Sequence, residues 1–290
     1  MRLLEKMNSR LLFLAAAVAL AAAVAALAPG QAHAAELPKT SGGAHAYALQ
    51  ANTTYTSYDA TGDGKPDTVR VVAPMNQYDM GDRIAVYING KKVFSKKTFF
   101  YYVDLVDIQL IQLKNKKCFL YLSTPGDNGD ADVRGIFKLQ GGKLKQVIDC
   151  NKGLGTKIGY HFDGTIAKVS GNYLYIKMYS MTYIAGPVEA TYKYKYKNGT
   201  LKRTSKTAKL TVFQAKSNVA KATASITMYK NTACKAKKYT IKKGQKVRFL
   251  KVYVKGNAAC FQVKVGGKTG WIKAGRSNGL PPFEGFFLAG

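Results

Sequence analysis

Asp59, Thr61, Asp63, Lys65 and Asp67 occupy alternate positions of the segment Asp59-Ala60-Thr61-Gly62-Asp63-Gly64-Lys65-Pro66-Asp67. A chain wraps a hard cation by offering oxygens at every second residue, with glycine at the sharp bends. The five positions, with Lys65 contributing its carbonyl, are therefore candidate ligands for a structural Ca2+ ion. An Asp/Gly-rich turn without metal is the alternative. A second acidic run, Asp127-Asn128-Gly129-Asp130-Ala131-Asp132, lacks the alternating spacing and reads as a loop.

Nucleophilic chemistry is harder to assemble. Cys150 lies in Asp149-Cys150-Asn151-Lys152-Gly153, but a thiol nucleophile needs a base to accept its proton. Beyond residue 34 the chain offers only His45 and His161, and Gly153, Gly155 and Gly159 oppose a helix after the cysteine. Cys150 is thus read as structural. No G-x-S-x-G, H-E-x-x-H, Walker-type or dinucleotide fingerprint occurs. A carboxylate pair for glycoside hydrolysis cannot be located by counting acids, because none stands at a strand end with an identifiable partner. No catalytic residue is nominated. Cys118, Cys150, Cys234 and Cys260 admit three pairings in an exported chain. Cys118–Cys150 with Cys234–Cys260 would keep each bridge within one half; buried unpaired thiols are the alternative.

Charge and address narrow the function. Arg2, Lys6 and Arg10 precede an apolar run from Leu11 to Leu27, and Ala32-His33-Ala34 supplies a small-x-small cleavage site. Residues 1–34 therefore read as a secretory signal peptide, with export as the destination. The chain carries 45 Lys+Arg against 16 Asp+Glu, a formal net charge of +29. Such a field draws anionic polymers and speeds encounter with them. Outside a cell these are wall polymers, acidic glycans, anionic lipid surfaces and stray nucleic acid. Nineteen tyrosines favour nucleic acid as well, but no recognition motif accompanies them.

The elements that must position these groups are strands. Residues 35–54 are small and polar and read as a flexible lead-in. From residue 55, period-two alternation dominates, as in Thr68-Val69-Arg70-Val71-Val72 and Arg83-Ile84-Ala85-Val86-Tyr87-Ile88. Hairpin signals recur at Asn89-Gly90, Gly141-Gly142 and Asn198-Gly199. Their spacing of roughly fifty residues is that of a propeller blade, so residues 55–207 are expected to form a propeller-like or curled β-repeat domain. The run Tyr192-Lys193-Tyr194-Lys195-Tyr196 alternates strictly. It reads as a buried tyrosine face and a solvated lysine face, the alternative being an aromatic-and-cation platform for sugars or bases. Residues 204–224, around the short strand Leu210-Thr211-Val212-Phe213, are the expected domain junction.

Two resemblances sharpen this outline. The Asp59–Asp67 loop resembles the aspartate-glycine calcium loops of EF-hands and of extracellular propeller repeats; strand flanks bring it nearer the latter (FG-GAP/VCBS-like). Residues 213–276 resemble a bacterial SH3-like domain, on Lys242-Lys243-Gly244-Gln245-Lys246-Val247, Phe261-Gln262-Val263 and Gly267-Lys268-Thr269-Gly270-Trp271-Ile272. That resemblance implies a small β-barrel binding cell-wall material. A shallow groove near Tyr229, Tyr253 and Trp271 is the candidate ligand contact, the alternative for Trp271 being a core or seam residue. Cysteine wall peptidases that carry such modules place the nucleophile in a D-C-S-G setting, which Asn151 breaks here. The expectation is an all-β, non-enzymatic exported protein that adheres to a wall glycan or anionic wall polymer, or to a surface protein. The competing expectation is a wall hydrolase with an unrecognised carboxylate site. Residues 277–290 form an apolar tail.

Overall fold

The computed structural model describes residues 32–126, 131–152, 159–256, 258–275 and 281–287. The segment expected to be a signal peptide, apart from its last residues, and Asp127 to Asp130 therefore lie outside the described residues. The fold is all-β, with no α-helix among the described residues.

The expected lead-in is instead structured. It contains β1 (Ala35–Glu36), β2 (Thr40–Ser41) and β3 (His45–Leu49). The physical reason is burial: Ala44, Ala46 and Leu49 are small or apolar residues that enter the core. Individually weak hydrophobicity suffices where neighbouring strands supply the pairing partners.

Three consecutive up-and-down meanders follow. The first comprises β4 (Thr54–Tyr58), β5 (Asp67–Val72), β6 (Met80–Ile88) and β7 (Lys91–Tyr101). The second comprises β8 (Asp107–Gln112), β9 (Cys118–Pro125), β10 (Ala131–Gln140) and β11 (Lys143–Asp149). The third comprises β12 (Gly159–Ser170), β13 (Tyr173–Thr182), β14 (Gly186–Lys197) and β15 (Thr200–Arg203). Each glycine hairpin noted in the sequence closes the last hairpin of one meander. Asn89 and Gly90 have φ of 50° and 74°, and Asn198 and Gly199 have 51° and 77°. Two successive positive φ values twist a two-residue turn to match the strands, which is why Asn-Gly stands there.

The remaining chain forms β16 (Thr207–Val212), β17 (Val219–Lys221), β18 (Ile226–Tyr229), β19 (Lys237–Ile241), β20 (Lys246–Lys255), β21 (Ala258–Val265) and β22 (Lys268–Lys273). The strands assemble into three open sheets. One is the four-stranded first meander; one has six strands in the order β1-β3-β8-β9-β10-β11. The third has twelve, in the order β19-β18-β22-β21-β20-β16-β14-β13-β12-β2, with β15 on β14 and β17 on β20. Pairing is antiparallel except where β2 runs parallel to β12.

The six-stranded sheet is the central layer. Leu120 and Leu122 of β9 join Val69, Ile84 and Phe100 of the first meander in one core. Phe119 and Tyr121, alternate residues of the same strand, join Ile176, Tyr192 and Leu210 of the large sheet in another. A sheet covered on both faces needs continuous apolar strands, as Cys118-Phe119-Leu120-Tyr121-Leu122 provides; strands of the outer sheets such as β5 and β13 largely alternate. The segment expected to be a junction is the strand β16, which Leu210, Val212 and Ala208 anchor in that second core. It pairs with β14 through Leu210–Val212 and with β20 through Thr207–Lys209. The upstream meander and the C-terminal segment therefore share one sheet. Tail residues 281–287 return to this sheet, where the Phe283 ring meets that of Phe249 at 5.1 Å.

Candidate functional site

The outward face of the large sheet carries the most organised chemistry. Along β13 the residues alternate, so Leu174, Ile176 and Met178 turn inward while Tyr173, Tyr175 and Lys177 face out. Register places Lys195 opposite Tyr173 and Lys193 opposite Tyr175 on β14, and Lys168 opposite Tyr175 on β12. The Lys193 ammonium lies 3.7 Å from the Tyr173 ring centre, and Lys168 lies 5.7 Å from that of Tyr175. Such contacts hold a cation over a ring for about 0.5–1 kcal/mol while leaving the ammonium wet. One lysine of the ladder is neutralised, Lys177, which pairs with Glu189 at 3.1 Å.

Tyr192 and Tyr194 point the other way. They are buried, and the Arg203 guanidinium stands 5.0 Å over the Tyr192 ring. Burial pushes the Tyr194 phenol up to about 12. The strict Tyr/Lys run thus gives its lysines to the surface and these tyrosines to the core. The aromatic platform is made with tyrosines of the neighbouring strand, a cross-strand relation that reading one strand at a time misses.

The face continues across β16. Lys209 stands directly opposite Lys251, and Thr207 opposite Tyr253. Lys251 is opposite Gln262, Gln262 opposite Trp271, and Trp271 opposite Tyr229. Tyr229, Tyr253 and Trp271 are therefore brought onto one face. Tyr253 and Trp271 meet edge to face with centres 6.2 Å apart, and the Lys273 ammonium sits 5.5 Å from the Tyr229 ring. All three aromatic residues are half-buried, part seam and part surface. Like charges directly opposite in a sheet are destabilising, so the Lys209/Lys251 pair is a place where a bound anion would relieve repulsion.

The Asp59–Asp67 loop is closed by its own amides. Asp59 accepts from the N–H groups of Gly62 and Gly64, and Asp63 from that of Lys65. The carboxylate of Asp67 accepts from the N–H of Ala60 and Thr61, each at 2.9 Å, and from Asn89 Nδ2 at 2.6 Å. Burial raises the Asp67 pKa, but these donors outweigh it and hold the carboxyl below its ordinary value. No three His, Cys, Asp or Glu side chains among the described residues gather closely enough to hold a metal. As folded, the carboxylates of Asp59, Asp63 and Asp67 accept from amide N–H groups of the loop and from Asn89. Beside it, a cleft of about 230 Å³ is lined by Tyr47, Tyr58, Asp59, Gln112 and Lys116 among others.

A polar group that sequence reading did not nominate lies between the central and large sheets. Asp107, Ser123 and Arg134 are successive partners across β8, β9 and β10. Arg134 Nε donates to Ser123 Oγ at 3.1 Å and lies 3.4 Å from Asp163 Oδ1 of β12. Burial raises the pKa of Asp107, the Gln109 amide opposes that, and the Asp163 charge adds to it. A signal existed: Asp107 and Gln109 are polar residues at the start of a strand whose Ile108, Leu110 and Ile111 are apolar.

The cysteines divide. Cys118 donates to the Asp59 carbonyl at 3.1 Å, whereas Cys150 packs against Gly164, so the expected Cys118–Cys150 bridge does not form. Cys118 opens strand β9 and Cys150 opens the 3-10 turn after β11, so the two thiols have different neighbours. Burial pushes each up to about 12. Burial therefore leaves Cys150 thiolate scarce near neutral pH, and His45 is engaged with Glu36 at 2.8 Å; the side chain of His161 lies outside the described residues. Cys234 and Cys260 face each other with sulfurs 3.1 Å apart.

Compared with family models, curated proteins and solved structures, the chain matches none. Among the described residues, no helix is long and apolar enough to cross a membrane.

Proposed function

We propose that this is an exported adhesion protein whose large-sheet face binds an anionic cell-wall polymer. In this reading residues 1–34 direct export, the propeller-like meanders form a scaffold, and the SH3-like C-terminal segment contributes the Tyr229/Tyr253/Trp271 patch. The observation that carries it is the continuity of the face. Lys168, Lys193, Lys195, Lys209, Lys251 and Lys273 follow one another across shared strands, interleaved with Tyr173, Tyr175, Tyr253 and Trp271. Long-range attraction comes from the lysines. Rings that present a flat apolar surface beside those charges suit a sugar whose substituents are anionic. The test is retention on purified wall sacculi, with and without their anionic polymer. Strong retention at low salt, lost on removing the polymer, is expected; equal weakness on both preparations refutes the reading. Wall-associated calcium is not required by it.

A second reading is favoured by the Asp107–Asp163 coupling. Two carboxyls on facing sheets, one with its pKa raised by burial and the other beside Arg134, resemble the division of roles used in glycoside hydrolysis. A wall hydrolase would clear turbid wall suspensions, and Asp107→Asn would abolish the clearing. A surface protein as partner would instead survive high salt.

A further inference from the structure

We propose that Lys209, Lys251, Gln262 and Trp271 form a subsite for a phosphorylated hexose unit. The inference rests on adhesion by the large-sheet face and names the chemical unit that this face would read. The four residues stand in one row across neighbouring strands. Lys209 of β16 is opposite Lys251 of β20, Lys251 is opposite Gln262 of β21, and Gln262 is opposite Trp271 of β22. Paired strands lie about 4.8 Å apart, so Trp271 and Lys251 are separated by about 10 Å at the backbone. A hexose carrying one phosphate group, met by a lysine side chain, bridges that distance.

Both ends of the row lack partners of their own. Lys209 and Lys251 are exposed, and neither forms an ion pair among the described residues. Between Glu189 and Glu284 the chain contains no acidic residue. Glu189 itself, opposite Thr211 on the neighbouring strand, is engaged by Lys177 at 3.1 Å. A phosphate group brings up to two negative charges and three acceptor oxygens, and so suits two facing ammonium groups better than one carboxylate does. The Gln262 amide and the Trp271 indole N–H also make no hydrogen bond among the described residues. Both side chains are half-buried, and their polar atoms stay open to solvent. An amide that donates and accepts grips adjacent sugar hydroxyls. The indole beside it offers a flat apolar surface to the sugar ring, and Tyr253 braces that indole edge to face at 6.2 Å. Inorganic phosphate would meet only the lysines, and an uncharged hexose only the amide and the ring.

The chain has a single tryptophan, so its indole N–H signal in NMR reports on this row alone. The probe is glucose 1-phosphate, titrated into the full chain. A saturable shift with a Kd on the order of 1 mM is expected for a ligand of this size. Glucose and inorganic phosphate are each expected to bind about tenfold more weakly. Gln262→Leu should weaken glucose 1-phosphate about tenfold and leave inorganic phosphate unchanged. Absence of a saturable shift overturns the proposal, as does glucose 1-phosphate binding no tighter than inorganic phosphate. Glucuronate binding as tightly as glucose 1-phosphate overturns phosphate as the substituent, and undiminished binding to a folded Gln262→Leu protein overturns the location. Should that variant not fold, the comparison of the compounds on the native chain decides. Wall retention without glucose 1-phosphate binding overturns the subsite alone; glucose 1-phosphate binding without wall retention supports the subsite and refutes adhesion.

Discussion

Cys234 and Cys260 bring their sulfurs to 3.1 Å across a gap of 26 residues in sequence. Cys260 stands on β21 opposite Tyr253, and Cys234 turns inward from the otherwise exposed loop after β18. The Cys260 thiol also donates to the Thr232 carbonyl at 3.4 Å. The loop is thereby held beside the aromatic patch. Disulfide bond formation is expected: two thiols become one disulfide as an external disulfide, such as oxidised glutathione, is reduced to two thiols. Peptide mapping should show the Cys234–Cys260 link, with Cys118 and Cys150 still reactive after unfolding. Replacing Cys234 by Ser in the oxidised protein should cost about 3 kcal/mol by denaturant titration. Four free thiols at equilibrium with that oxidant would count against the pairing.

The buried thiols make a second forecast, with the sign set by their raised pKa. Unfolded cysteine ionises near its ordinary value of 9.0, whereas folded Cys118 and Cys150 hold their protons to about 12. Between those values the unfolded state binds fewer protons, so stability falls as pH rises. Serine at position 150 should flatten that part of the pH–stability curve. Native Cys150 should resist alkylation at pH 8, because its thiolate is scarce.

Neutralising the lysine ladder tests the adhesive face. Lys168→Gln with Lys193→Gln and Lys195→Gln is expected to weaken wall retention about tenfold at low salt, with a shallower salt dependence. Each exposed ammonium–ring interaction that the triple variant removes is worth about 0.5–1 kcal/mol, so the melting temperature should fall only modestly. Unchanged retention would remove this face from the binding surface.

Asp107 is held above the ordinary carboxyl range chiefly by burial, so its ionisation opposes folding as pH rises past about 4. Asp107→Asn keeps an acceptor for Gln109 and cannot ionise. It should stabilise the protein at pH 7 by on the order of 1 kcal/mol and match the parent near pH 3. A destabilised variant at pH 7 would show that the charge is wanted there.

For Asp67 the sign is opposite. Its hydrogen bonds hold the carboxyl below the ordinary value despite burial, so its contribution is present above about pH 4 and is lost on acidification. Asp67→Ala strands the Ala60, Thr61 and Asn89 donors and should cost about 3 kcal/mol at pH 7. That penalty should shrink at low pH. Millimolar calcium should leave the native midpoint where it is; a clear rise would mean that the loop reorganises around the ion.

Much of the strand content is legible because alternation is local. Leu174, Ile176 and Met178 declare their inward face to anyone reading five residues, and Asn-Gly declares its hairpin through a backbone that few other pairs adopt. The roughly fifty-residue rhythm of those turns is also the rhythm of the meanders. The lead-in is illegible for the converse reason: Ala44 and Ala46 are too small to announce burial, and only pairing with β8 makes β3 a strand. Asp67 stands out in the sequence as an oxygen-bearing group, but what its oxygens meet includes Asn89, 22 positions away.

By itself, the order of amino acids determined an all-β chain, the places where it turns, a strong positive charge, and aromatic residues at Tyr229, Tyr253 and Trp271. Tertiary structure decided which strands lie side by side. It made β16 a shared strand rather than a linker, set Lys193 over Tyr173, and brought Arg134 beside Asp163. The reason is that period and turn chemistry act over a few residues, whereas register and layering depend on which distant apolar faces cover one another.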